Sequence, residues 1–192
     1  MQIMSTNYNK RISDTLIRIG EVRFSYVHVF APRTGDDGKE GKYGVCLVWP
    51  KTDTKTTELV KSCIAAAKEQ AKVKGIKLPS TCKTPLRDGD IDREDDENFS
   101  GCWFINANCK QKPGVRVLSE GQLFEALDDS DFYSGCYGCA TVNFFPFDSN
   151  GNKGIGAGLN NVCKTRDGER LGGGTDADND FGDLGDAASV LD

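Results

Sequence analysis

The chain reads as mainly β: a small barrel, closed or nearly so, with one inserted α-helix and elaborated loops. Three observations lead there. Apolar residues alternate along several short segments bounded by turn residues. Residues 53–74 alone carry a long apolar stripe at helical spacing. At 192 residues and 38% hydrophobic content, the chain has enough material for one core.

Taken in order, residues 1–20 read as a loosely attached N-terminal arm, and residues 21–171 as the folded domain. Within it, "EVRFSYVHVFAP" (21–32) is a strand rich in aromatics and valines, stopped by Pro32. After a polar loop, "KYGVCLVWP" (42–50) is a second strand, with Tyr43, Val45, Leu47 and Trp49 on one face. The helix follows. Asp53 or Thr54 caps it, Gly75 ends it, and Leu59, Val60, Cys63, Ile64, Ala67 and Ala71 form its packing stripe. "GCWFINANC" (101–109) is a third strand, "VRVL" (115–118) a fourth, and "EGQLFEALDD" a short helical piece. The long strand "SGCYGCATVNFFPF" (134–147) turns at "DSNGNKG" into "IGAGLNNVCKT" (155–165), which makes a hairpin. Strands in this number, with one helix between the early and late ones, fit an oligonucleotide-binding (OB) barrel best. A two-sheet sandwich is the alternative.

The net charge of −5 averages over unlike parts. Residues 172–192 hold six aspartates and no basic side chain, and read as a flexible acidic tail. Residues 88–97, "DGDIDREDDE", sum to −6, and everything outside these two segments sums to +7. A mildly basic body with two segregated acidic segments is a different object from a uniformly acidic protein. The acidic stretch at 88–97 reads as a solvent-facing loop, or as a protein-interaction patch that repels a polyanion from the wrong side. No apolar run approaches a membrane span, and the first twenty residues lack a signal peptide's apolar core, so the expectation is a soluble, cytoplasmic protein.

The strand faces suggest where a ligand would lie. On 101–109, Trp103, Ile105 and Ala107 point one way; Phe104, Asn106 and Asn108, then Lys110, point the other. On 134–147, Ala140, Val142 and Phe144 oppose Tyr137, Thr141, Asn143 and Phe145. Aromatic rings beside asparagines, with Lys112, Arg116, Lys153, Lys164 and Arg166 near strand ends, supply stacking, base-edge hydrogen bonds and phosphate contacts. The bland reading places Phe104 and Phe145 over a second small core under a loop.

Catalytic chemistry finds little support. His28 is the only histidine, no serine sits in a nucleophile motif, and "GIGAG" lacks the setting of a dinucleotide fingerprint. Three Asp-rich stretches, starting at Asp88, Asp148 and Asp176, fail the sixth and twelfth positions of a calcium loop. Cys136 and Cys139 on one strand would point to opposite faces, against a shared zinc. No metal or cofactor is expected, and the eight cysteines read as free thiols by default.

"VRFSYVHVFAP", "TPLRDGD", "GCWFINANCKQKPGV", "FYSGCYG", "VNFFPFDSNGNKGIGAGLNNVCKTRDGERLGG" and the acidic end together resemble the OB-fold single-stranded DNA-binding proteins of tailed bacteriophages. The resemblance spans roughly residues 20–181. It implies a non-catalytic protein, phage or prophage encoded, that coats single-stranded DNA in replication, recombination or repair inside a bacterial host. It also implies that the tail, through Asp176, Asp178, Asp180, Phe181, Asp183 and Asp186, competes with DNA and recruits phage or host replication or recombination proteins. In this sequence Phe181 stands inside the tail, which ends "ASVLD". Self-association is left open. A phage assembly or protein-interaction module on the same sort of barrel is the alternative.

Overall fold

The computed structural model describes residues 6–172. The strands are β1 (Lys10–Arg11), β2 (Leu16–His28), β3 (Tyr43–Pro50), β4 (Arg87–Asp88), β5 (Cys102–Cys109), β6 (Gly114–Ser119), β7 (Gln122–Glu125), β8 (Tyr137–Ser149) and β9 (Asn152–Arg166). The main helix is α1 (Thr54–Val73); α2 (Gly89–Asp92) and a 3-10 turn at Glu97–Phe99 are short.

Five strands make the barrel, in the order β5-β3-β2-β8-β9. Neighbours along this path are antiparallel, and a parallel contact between Asn108 and Gly158 joins β5 to β9 and closes the ring. Closure by one parallel pair leaves no long free edge among the five. This is the expected OB-like ring with one main helix.

Alternation fills the barrel. Val45, Leu47 and Trp49 of β3, Ile105 and Ala107 of β5, and Ala140, Val142 and Phe144 of β8 all face one core. Each large apolar side chain buried this way stabilises by about 1.5–3 kcal/mol. α1 lies against β8, with Val60, Cys63, Ile64 and Ala67 turned into the same core. Its start is fixed by Asp53, whose carboxylate accepts from the Thr56 amide at 3.1 Å, and its end by Gly75 at φ +73°. Trp49 Nε1 donates to Thr57 Oγ1 at 3.0 Å, so the indole joins strand to helix without a stranded donor.

Two expectations are corrected. The loosely attached arm does not extend to residue 20: β2 begins at Leu16, Ile17 and Ile19 are fully buried, and β1 pairs with β2. A register shift between Ile19 and Val22 interrupts the alternation and hides the first half of that strand in the sequence. The "EGQLFEALDD" piece is not helical. Glu120 and Gly121, at φ +50° and +77°, turn β6 into β7 as a tight hairpin. β6 runs parallel to β9 and extends the sheet beyond the barrel.

Candidate nucleic-acid interface

The register places one continuous row across the outside of the barrel. Leu16 pairs with Asn143, Asn143 with Gly158, Gly158 with Asn108, Asn108 with Gly44, and Gly44 with His28. Because residues directly opposite in a sheet share a face, these six lie on one surface. Two glycines keep it low. A Cβ on Gly44 would strike the Asn108 side chain, and the Phe145 ring lies across Gly156, 2.8 Å from where a Cβ would stand. The result is a shallow floor with carboxamides of Asn108 and Asn143 and, at one side, a ring that is 38% exposed. Asn106 is also exposed, one outward position along β5 from Asn108.

Cations border this floor. After β5 the chain carries Lys110 and Lys112, which line a cleft with Ile12, Leu16, Thr141 and Asn161. Gly114 Nα donates to Asn161 Oδ1 at 3.0 Å, which fixes the lysine-bearing loop against β9. Arg116 stands on β6 opposite Cys163 of β9, and is exposed. Among the described residues, no carboxylate pairs with Lys110, Lys112 or Arg116. Lys153 sits at the hairpin tip, 3.7 Å from Asp148.

Other candidates are already engaged. The Arg166 guanidinium lies 3.6 Å over the Tyr137 ring and 2.6 Å from Glu21, while Arg23 approaches the same ring at 5.4 Å. The Glu21 hydrogen bond holds Arg166 still more firmly protonated. Tyr137 is therefore stacked on its own protein's cations, not open to a base. Lys164 pairs with Asp167 at 2.7 Å and leans over Tyr133, whose hydroxyl donates to the same carboxylate. Those two contacts, Lys164 first, hold the Asp167 carboxyl below the usual carboxylate range. Lys164 is only 12% exposed, so its charge closes the barrel end and does not border the floor.

Phe104 is the clearest correction. It points outward as expected but is 1% exposed, packed edge-on to Phe99 at 5.1 Å over Cys46 and Val48. The bland reading holds for Phe104, whereas Phe145 stays open. The acidic segment 88–97 provides the cover. Asp88 caps α2, Asp96 caps the 3-10 turn, and Phe99 follows into the small core. Asp88 and Asp90 hold Lys51 at 2.6 and 2.7 Å, and Arg87 pairs with Asp92. The Gly101 amide, then Lys51, pulls the Asp90 carboxyl below its ordinary value. These acids have local structural partners, which the run of charge alone did not reveal.

Sequence reasoning also passed over Tyr26. It is 45% exposed at φ +48°, with the Arg93 guanidinium 5.2 Å from its ring, beside the covered face. The irregular register between Ser25 and His28 turns it outward, and no periodicity signals such a bulge. Cys136 belongs to the core and Cys139 faces Cys163 on the outward side of β8, so the two sulfurs diverge as expected. Asp176, Asp178, Asp180, Phe181, Asp183 and Asp186 lie outside the described residues.

Comparison with known proteins then decides the family. The profile described as the single-stranded-DNA-binding protein of Enterobacter phage Enc34 matches residues 15–191. This chain belongs to that family. Protein p50 of Acyrthosiphon pisum secondary endosymbiont phage 1 is 33% identical over 176 residues, covering 88% of this chain and 93% of that protein. The Enc34 single-stranded DNA-binding protein, solved in complex with single-stranded DNA, is 26% identical with a TM-score of 0.72, over 88% of this chain and 99% of that one. Gp2.5 of bacteriophage T7 shares the fold, at 18% identity and a TM-score of 0.52, over 91% of this chain and 94% of that one. The Enc34-type family is one of DNA-binding proteins and not of enzymes, consistent with a barrel whose outward surface carries amides, rings and cations.

Proposed function

We propose that this Enc34-type protein coats single-stranded DNA in phage or prophage replication, recombination or repair, inside the bacterial host cell. The strand lies along the outer row from Leu16 to His28. Phe145 stacks a base, Asn106, Asn108 and Asn143 hydrogen-bond base edges or sugars, and Lys110, Lys112 and Arg116 meet phosphates. Lys153 adds a weaker contact at the hairpin tip, and Tyr137, Lys164 and Arg166 hold the barrel end in shape. The observation that carries the reading is this row: the barrel's glycine-floored, amide-lined surface, bordered by three cations without carboxylate partners among the described residues. Stacking and amide contacts of this kind tolerate most sequences, and phosphate contacts make binding fall steeply with salt.

The acidic tail acts with the floor. Six aspartates tethered to a basic surface are held at an effective concentration on the order of millimolar. The tail occupies the cationic border when DNA is absent and is displaced by the denser charge of a strand. Asp176, Asp178, Asp180, Phe181, Asp183 and Asp186 are then released to a basic, aromatic-binding replication or recombination protein.

Fluorescence anisotropy of labelled oligo(dT), matched duplex and RNA tests both parts, with full-length protein and a chain ending at Gly172. The expected result is salt-sensitive preference for single-stranded DNA, tighter without the tail. Equal affinity for duplex and single strand would contradict the coating function. Unchanged affinity and salt dependence on truncation would contradict the competing tail.

A further inference from the structure

The outward face of β8 and β9 carries two thiols that the DNA-binding reading does not use. Cys139 and Cys163 are direct partners in the antiparallel ladder, and the Cys163 thiol lies 3.7 Å from the Lys164 carbonyl oxygen. Opposed residues in such a ladder have Cα atoms about 4.5–5.5 Å apart, inside the range of about 4.4–6.8 Å that a disulfide spans. Their Cβ atoms are about 4.5–5.5 Å apart, against about 3.8 Å in a relaxed disulfide. Bridging draws the strands together, so the bond stores strain and is readily reduced.

The surroundings favour attack by one particular sulfur. Cys163 is partly exposed whereas Cys139 is buried. Arg116 stands opposite Cys163 on β6, and Arg18 is close to both sulfurs. The Cys139 thiol directly across, then the Leu118 backbone and the two arginines, hold the Cys163 thiol below its ordinary value, and the same pairing, then burial, raises Cys139. Elsewhere burial does the reverse: Cys46 is pushed up to about 12 and Cys136 to about 11. A nucleophilic, accessible thiolate with a resolving thiol directly across the ladder is the arrangement that exchanges with disulfides.

We propose that Cys139 and Cys163 form a reversible thiol–disulfide site whose reaction partner is a low-molecular-weight disulfide of the glutathione type. The Cys163 thiolate attacks one sulfur of that molecule, a mixed disulfide forms, and the first small thiolate leaves. Cys139 gives its proton to water and attacks Cys163 Sγ, which closes the protein disulfide and expels the second thiolate. Two electrons pass from the protein thiols to the small disulfide, which ends as two thiols. The site lies beside Thr141 and Asn161 of the lysine-bearing cleft, so the bridge fixes the spacing of the two strands beneath it. The inference does not depend on the DNA-binding reading.

The test equilibrates full-length reduced protein with mixtures of oxidised and reduced glutathione, quenches with acid, alkylates the remaining thiols and maps peptides by mass spectrometry. The expected product is a Cys139–Cys163 linked peptide, lighter by two hydrogen atoms and reversed by dithiothreitol. Cys139→Ser should instead accumulate a glutathione adduct on Cys163, and Cys163→Ser should leave Cys139 unmodified. Both thiols remaining alkylatable at every ratio, or a bridge through any other cysteine, would overturn the proposal. Native-state alkylation of the unmutated protein gives a check independent of how the variants fold. Cys163 should react before Cys139, which is buried across the ladder from it; earlier reaction of Cys139 would also overturn it.

Discussion

The outward face of β5 divides into two halves with opposite fates. At one end Asn106 and Asn108 are open, next to Gly44, Gly158 and the exposed Phe145 ring. At the other, Phe104 is sealed under Phe99, with Arg87 and Arg93 over its ring. The same alternation produces both halves. What separates them is a segment some residues away in the chain, anchored by two aspartates on Lys51. An outward position becomes a binding surface only where no other segment folds over it.

The largest expected effect comes from the covered half. Phe104→Ala should cost about 3–5 kcal/mol of folding stability, as for other buried phenylalanines, while the protein that remains folded binds oligonucleotide unchanged. Chemical denaturation and anisotropy measure the two separately. A selective loss of binding would erase the distinction between the halves.

On the open half, replacing Lys110, Lys112 and Arg116 together by alanine should weaken binding and reduce the slope of log affinity against log salt by about 2, the release expected from three phosphate contacts on a single strand. An unaltered slope would remove these cations from the interface. Phe145→Ala should cost about 1–3 kcal/mol of binding, and Phe145→Tyr should restore most of it, because stacking needs the ring and not its substituent. If both variants bind alike, Phe145 serves only to cover Gly156.

The smallest effect belongs to the barrel end. Lys164, then Tyr133, holds the Asp167 carboxyl below its ordinary value, so this contribution is complete above the unfolded value and is lost as pH falls through the folded one. The stability difference between the unmutated protein and Asp167→Asn should be constant above about pH 5 and shrink below about pH 4. A difference that grows with acidity would contradict the pairing.

Much of the barrel was legible because its strands obey a period of two and its helix a period near 3.6. Val45, Leu47, Trp49, Ile105, Ala107, Val142 and Phe144 are inside, as alternation requires. Legibility failed where the period breaks or where distant segments meet. The register shift after Ile19 made a buried strand look like an arm. Leu123, Phe124 and Leu127 are spaced like one helix face, yet they are exposed on and beside a hairpin whose Glu-Gly turn was readable in the sequence. The covering of Phe104, the cation stacking on Tyr137 and the approach of Tyr133 to Lys164 and Asp167 depend on tertiary contact, which no local pattern records.

The central claim is that DNA lies on the open half of this surface and not where Phe99 sits. Photo-cross-linking of full-length protein to an oligonucleotide carrying 5-iododeoxyuridine, followed by peptide mapping, tests it most directly. The account predicts cross-links at Phe145 and its neighbours on β8 and β9, with none at Phe99 or Phe104. Cross-links concentrated at Phe99 and Phe104 would mean that the acidic segment lifts away on binding, and would contradict it.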